Sequence, residues 1–317
     1  MAPARAERPL EEALAACPFC AGNEGLTPDE VLRSPADRAL PWRARVIPNR
    51  YPIVVDRRHV SEADGAGAFR DGERPAHGVH DVIVESPRHD LSILTVDPVA
   101  WRSSWELARQ RLAELALRDD LAWGGVFKNS GRAAGASLDH VHSQLVALDF
   151  VPPPVVAKLA SGDVEPCARI IAAAERERRV VAASADLVAL VPPAPRQPLE
   201  TWLLPRRPGP WFHAVGPAEV EGLADLLREV VARIEGAAPG AEYNWWLHQA
   251  PFRLSPRPGA TDGQPPPDWR WHLEIVPRIS PLAGFELGIG CHIAVMSPET
   301  SARLPVSYTH LRAHETR

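Results

Sequence analysis

No stretch of about 18 consecutive apolar residues occurs in the chain, so no membrane-spanning helix is expected. Cysteine is scarce: four residues in 317 cannot form the disulfide framework of a secreted mini-domain, and a reduced, cytoplasmic setting is expected. An excess of positive charge is lacking too. The formal net charge is −5, so no broad basic surface argues for nucleic acid, and the short arginine runs (Arg57-Arg58, Arg176 to Arg179, Arg206-Arg207) read as solvated faces. The opening residues MAPARAERPLEEALAA are charged and have no apolar centre, so they are not expected to be a secretory signal. Proline, in contrast, is abundant. The 34 prolines gather at Val151 to Pro154, Pro192 to Pro198 and Gln264 to Pro267. That argues for stiff connections and edge strands rather than a helical bundle. With 45% hydrophobic and 24% charged residues, the composition is that of a soluble globular protein of one large or two moderate domains.

The chemistry concentrates between Phe127 and Leu148, FKNSGRAAGASLDHVHSQLVAL. A glycine- and alanine-rich run precedes three polar side chains at alternate positions, His140, His142 and Gln144. Alternation on a strand would place two imidazoles and an amide on one face. The loop beside them can bring backbone N–H groups close to a ligand.

Other candidates lie upstream. Cys17 and Cys20, in Cys-Pro-Phe-Cys, can ligate one tetrahedral metal ion; a redox pair is the alternative, but the βαβ pattern expected around one is not obvious. Asn49 follows Pro48 between two predicted short strands and reads as a turn residue or a ligand contact. Among His77, His80 and His89 the residues alone do not single out a third metal ligand. Pro98 to Leu117 is the clearest helix, proline-started, with an apolar stripe of Trp101, Trp105, Leu112 and Leu115.

As a set, Phe127, Asn129, Gly131, Gly135, Ser137, His140, His142 and Gln144 resemble the hexose-1-phosphate uridylyltransferases, galactose-1-phosphate uridylyltransferase and its relatives, of the histidine-triad superfamily. The resemblance implies an α+β fold of two related histidine-triad-like halves, each an antiparallel sheet with a covering helix. It implies UMP transfer between a UDP-hexose and a hexose 1-phosphate through a uridylyl-histidine on His142, with Gln144 hydrogen-bonded to the phosphate. Zinc, one per chain, would be held by Cys17, Cys20, His89 and His140. Asn49, Asn129, Gly131 and Ser137 would contact the nucleotide, and Glu286, in the AGFELG segment, the hexose. A homodimer is implied as well. An ADP-glucose or dinucleoside-polyphosphate phosphorylase of the same superfamily would use the same histidine; hydrolysis and a non-catalytic zinc-stabilised nucleotide-binding module are further alternatives.

A weak internal duplication supports the two halves, residues 1–154 and 155–305. Setting Trp271 on Val141 places Arg270, His272 and Glu274 opposite His140, His142 and Gln144, and leaves Cys167 as the second half's only retained metal-ligand type. The last residues, 306–317 (VSYTHLRAHETR), resemble translated sequencing-adapter sequence and are expected to be non-native.

Overall fold

The computed structural model describes residues 17–59, 76–160, 166–253 and 269–304. The expected N-terminal arm, the Gly-rich loop Asp64 to Arg74, the proline run at 264–267 and the tail 306–317 lie outside the described residues.

Three strands open the chain: β1 (Leu32–Ser34), β2 (Ala44–Pro48) and β3 (Gly78–Val84). Helix α1 (Pro98–Ala116) follows, then β4 (Trp123–Ser130) and β5 (His142–Leu148). Two helices, α2 (Pro153–Ala160) and α3 (Pro166–Arg176), lead into a repeat of the same plan. The repeat comprises β6 (Val180–Ala183), β7 (Leu187–Leu190), β8 (Thr201–Pro205), helix α4 (Pro217–Ala237), β9 (Tyr243–His248) and β10 (His272–Pro277). Short helices α5 (Gly284–Ile289) and α6 (Pro298–Arg303) end the described chain.

The expected antiparallel sheets of the two halves are joined into one. Its ten strands run β1-β2-β3-β5-β4-β9-β10-β8-β7-β6, and every ladder is antiparallel. The order reads as a five-strand unit met by its own reversal, and the seam is β4 against β9, with Phe127 opposite Trp246 and Asn129 opposite Asn244. Both long helices cover the same face. Asp97 caps α1 by accepting from the backbone N–H groups of Val99 and Ala100, and Pro98 occupies the first turn, where a missing N–H costs nothing. The Trp101 indole N–H donates to the Ala224 carbonyl of α4 at 2.8 Å, and Arg102 pairs with Asp225. Trp101, Trp105, Leu112, Leu223, Leu227 and Val230 from the helices join Leu145, Ala147, Trp245, Leu247, Leu273 and Ile275 from the strands in one core.

Side chains alternate along strands, so the residues between those core positions face away from the helices. The register sets out what that second face carries. Gln144 stands opposite Phe127, Phe127 opposite Trp246, and Trp246 opposite Glu274. Continuing the β4–β5 register by two residues sets Asn129 opposite His142.

Several local expectations change. The second strand expected within Arg45 to Asp56 is absent, and Val55 makes only an isolated bridge to His77. Ser86-Pro87 ends β3, and the apolar run after His89 forms bends and turns up to α1. His140 lies in a bend two residues before β5 begins, so the three polar groups do not share one strand. Of the linking helix that the sequence leads one to expect over 155–180, the described residues show α2 and α3. Edge strands β1 and β6, of three and four residues, are too short to show an alternating pattern.

Candidate functional site

The four residues named as metal ligands converge from three places. Cys17 and Cys20 come from the knuckle before β1, His89 from the turn after β3, and His140 from the bend before β5. Their ligand atoms all lie within 4.8 Å of one another. Cys17 Sγ is 3.4 Å from His140 Nδ1, Cys20 Sγ is 3.4 Å from His89 Nδ1, and Cys20 Sγ is 3.6 Å from His140 Nδ1. A tetrahedral zinc with Zn–S of about 2.3 Å and Zn–N of about 2.1 Å would space sulfur and nitrogen about 3.6 Å apart. The donor set and its spacing therefore fit one tetrahedral ion. Each histidine presents Nδ1, and His140 Nε2 sits 2.9 Å from the Ser86 carbonyl, which accepts its N–H and fixes the ring. Burial, and then the neighbouring Cys17, push the Cys20 thiol up to about 12, so a divalent cation is what would hold these sulfurs as thiolates.

His142 follows two residues later, buried, with its Nδ1 2.7 Å from the main-chain oxygen of His140. That oxygen can only accept, so the proton resides on Nδ1 and Nε2 keeps its lone pair. Burial, and then the charge of Lys128, pull the imidazole down to about 4, which leaves it neutral near pH 7. Phe19, carried by the knuckle between its two cysteines, packs obliquely against His142 with ring centroids 5.3 Å apart and edge-on against His140 at 5.8 Å. The metal-ligand knuckle thus also braces the adjacent imidazole.

Beside His142 lies a cavity of about 180 Å³ whose lining includes Lys128, Asn129, Ser130, Gly131, Asp139 and His140. Of the expected nucleotide contacts, Asn129 and Gly131 line it and Ser137 does not. The expectation that the loop's backbone N–H groups face a ligand is corrected for Arg132 and Ala133, which donate to the Glu242 carboxylate. The N–H groups of Gly135 and Ala136 are spent on Arg132 and Gly131 within the loop. Gly131 (φ +89°) and Gly135 (φ +90°) take left-handed conformations, and a Cβ on Gly131 would collide with Glu242.

Gln144 is oriented from the side. Ile53 N–H donates to His80 Nδ1, so His80 Nε2 carries the ring proton and donates to Gln144 Oε1 at 2.8 Å. The Gln144 amide nitrogen is thereby turned away from His80 and kept as a donor. Asn49 forms an Asx turn, its Oδ1 accepting from Tyr51 N–H at 2.8 Å, and its Nδ2 is 3.2 Å from His80 Nε2. Glu286 does not join this group within the chain. It sits on α5, its carboxylate accepting the Ala283 N–H at 3.0 Å, in a segment that exposes Phe285, Leu287, Ile289, Ile293 and Val295.

Lys128 was not anticipated. It is buried on the helix side of β4, with Nζ 2.6 Å from Glu85 Oε2 and 2.6 Å from the His142 carbonyl oxygen, and Ser143 hydrogen-bonds the other Glu85 oxygen. A lysine inside a strand that otherwise reads as core is the sequence signal that was available. Replacing Lys128 with Met strands the Glu85 carboxylate in the core, and a loss of about 3–5 kcal/mol is expected, checked by denaturant titration. Lys128→Met with Glu85→Gln should recover part of that loss.

The second half holds an unanticipated cluster. The ligand atoms of His248, His272 and Glu274 lie within 4.8 Å of one another. Of the aligned positions, His272 and Glu274 take part, whereas Cys167 and Arg270 do not. Lys158 Nζ lies 2.7 Å from His272 Nε2 and 2.8 Å from Glu274 Oε1, and Arg196 reaches Glu274 Oε2 at 2.5 Å. Burial would raise the Glu274 pKa, but its bonds to His272 and Lys158 hold the carboxyl well below the usual range. Two fixed cations therefore already balance this carboxylate. Among the described residues, no helix is long and apolar enough to cross a membrane.

The model of the galactose-1-phosphate uridyl transferase N-terminal domain matches residues 6–152, and a domain of unknown function (DUF4921) matches residues 110–315. ADP-glucose phosphorylase from Arabidopsis thaliana is 31% identical over 95% of this chain and 87% of its own length. Galactose-1-phosphate uridylyltransferase from Thermotoga maritima is 24% identical over 94% of this chain and 91% of its own. The crystal structure of the Arabidopsis phosphorylase with bound ADP-glucose superposes with a TM-score of 0.76 at 31% identity, over 91% of this chain and 88% of that one.

Proposed function

The chain belongs to the galactose-1-phosphate uridylyltransferase family of nucleotidyltransferases, in the histidine-triad superfamily, and from that premise we propose that His142 Nε2 is its nucleophile. The supporting observation is the His142 ring itself: neutral, fixed by the His140 carbonyl, with an unprotonated Nε2, in the lining of a small cavity that Asn129 also lines. Nε2 attacks the α-phosphorus of a nucleoside diphosphate hexose. A P–N bond forms, the P–O bond breaks, and hexose 1-phosphate leaves with the electron pair. An oxygen of the acceptor phosphate then attacks the same phosphorus and the P–N bond breaks. The His140 carbonyl, accepting from Nδ1–H, stabilises the positive charge that the ring acquires in the intermediate. Asn129 and the Gln144 amide nitrogen donate to the phosphate oxygens without charge, so the intermediate is stabilised but not trapped.

Cys17, Cys20, His89 and His140 hold a zinc ion, one per chain. With four protein ligands it is structural, and it keeps the Phe19 knuckle against the reacting imidazole. Lys158, wedged into the second cluster, is the reason one ion rather than two is proposed. The exposed apolar side chains around Glu286 support a homodimer in which this segment, with its hexose contact, reaches the partner's cavity. Asn49 and Ser137 are proposed as nucleotide contacts made at the rim.

Two substrate pairs fit this chemistry: UDP-glucose with galactose 1-phosphate, and ADP-glucose with inorganic phosphate. The 31% identity to ADP-glucose phosphorylase, against 24% to the uridylyltransferase, favours the second. Parallel assays separate them. ADP release from ADP-glucose and phosphate should exceed UDP-galactose formation from the uridine pair by at least about tenfold; the reverse ratio would assign uridylyl transfer instead.

A further inference from the structure

We propose that Asn244 and Arg278, both from the second half, are positioning residues that decide which end of the Asn129 amide faces the phosphate cavity. This rests on the reading of the His142 face as a nucleotidyl-transfer site.

An asparagine amide has a donor end and an acceptor end of nearly equal shape, and only the donor end stabilises a phosphate oxygen. Asn129 lines the cavity beside His142, so its orientation has consequences. Arg278 settles the first member of the relay. A guanidinium can only donate, and its Nε lies 2.6 Å from Asn244 Oδ1. The Asn244 nitrogen must therefore face the other way, where it donates to Asn129 Oδ1 at 2.8 Å and to the Ala134 carbonyl at 2.7 Å. Both of its N–H groups are used. The Asn129 oxygen is consequently occupied from behind, and its nitrogen is left towards the loop, 3.4 Å from the Gly135 carbonyl. That bond is long enough for a phosphate oxygen to replace it.

The same elements hold the loop. Asn244 ties down Ala134, and the Glu242 carboxylate takes the N–H groups of Arg132 and Ala133. Arg278 N–H in turn donates to the Glu242 carbonyl at 2.7 Å. The strand register explains why a residue more than a hundred positions away can do this: β9 is the direct neighbour of β4, and Asn244 stands opposite Asn129. The second half, in which Lys158 Nζ already bonds His272 Nε2, thus serves the first half's chemistry across the seam.

Asn244→Asp tests the relay. Aspartate keeps its contact with Arg278 but can only accept, so Asn129 rotates and turns its oxygen towards the phosphate. The rate of nucleotide transfer onto the protein from ADP-glucose or UDP-glucose, followed by rapid quench, should fall about 100-fold. The melting temperature and the half-saturating nucleotide-sugar concentration should change little. The double variant Asn129→Ala with Asn244→Asp should lose far less than the product of the two single losses, because the main effect of Asn244 passes through Asn129. Arg278→Met, which frees the Asn244 amide to flip, should lose about tenfold and serves if the aspartate variant does not fold. An undiminished rate in Asn244→Asp or Arg278→Met, or losses that multiply in the double variant, overturns the relay. Wild-type protein that takes up no nucleotide from either sugar overturns the transfer reading and the relay with it.

Discussion

Replacing His142 with alanine or glycine is expected to abolish nucleotidyl transfer, by about 10⁴-fold or more in kcat, with the metal and the fold retained. The imidazole is the nucleophile in the proposed route, and among the described residues the other histidine lining that cavity is His140. His140 cannot substitute, because its Nδ1 points at Cys17 and Cys20 and its Nε2 is bonded to Ser86. The ring packs on Phe19 and bonds only to a backbone oxygen, so truncation leaves a small cavity rather than an unpaired charge. Circular dichroism and metal analysis should therefore match the parent. A variant that turns over near the parental rate would remove His142 from the nucleophile role.

Cys17→Ser should behave in the opposite way, losing metal, stability and activity together. Structural zinc sites contribute roughly 10–16 kcal/mol of metal-binding free energy in small domains, and part of that becomes folding free energy. Here the ion would bind three separate segments: the knuckle, the turn after β3 and the bend before β5. Without it, two thiols and two imidazoles, with Cys17 and His140 buried, face one another with no common partner. A melting temperature lower by about 10 °C, together with metal content below the parental one ion per chain, is the expected result. Prolonged chelation of the parent protein should reproduce it. A variant that loses its metal but keeps both its melting temperature and its rate would show that the knuckle aims nothing.

These two residues were legible in the sequence because their chemistry is local. Cys-Pro-Phe-Cys and His-Val-His-Ser-Gln each announce themselves within five residues. Helix α1 was legible for the same reason, through its proline start and apolar stripe. What was hidden depends on strand pairing. Phe19, Lys128, His80, Glu242 and Asn244 acquire their roles only when β3, β5, β4 and β9 lie side by side, and no local pattern encodes that order. His80 looked equivalent to His77 and His89 until Ile53 and Gln144 fixed its tautomer. The loop Asn129 to Ser137 is expected to offer its backbone N–H groups to a ligand, yet the carboxylate of Glu242, the residue before β9, already takes two of them. The joining of the two sheets at β4 and β9 could not be foreseen either, because a duplicated sequence is equally compatible with two separate sheets.

The account depends on a covalent nucleotide carried by one imidazole. Intact-mass spectrometry of the protein after brief exposure to ADP-glucose or UDP-glucose, followed by peptide mapping at neutral pH, addresses it directly. The expected result is a gain equal to one nucleoside monophosphate residue, acid-labile and mapping to the peptide that contains His142, absent from His142→Ala and lost when phosphate or hexose 1-phosphate is added. Turnover of either sugar with no such adduct at any time, or an adduct on another residue, would contradict it.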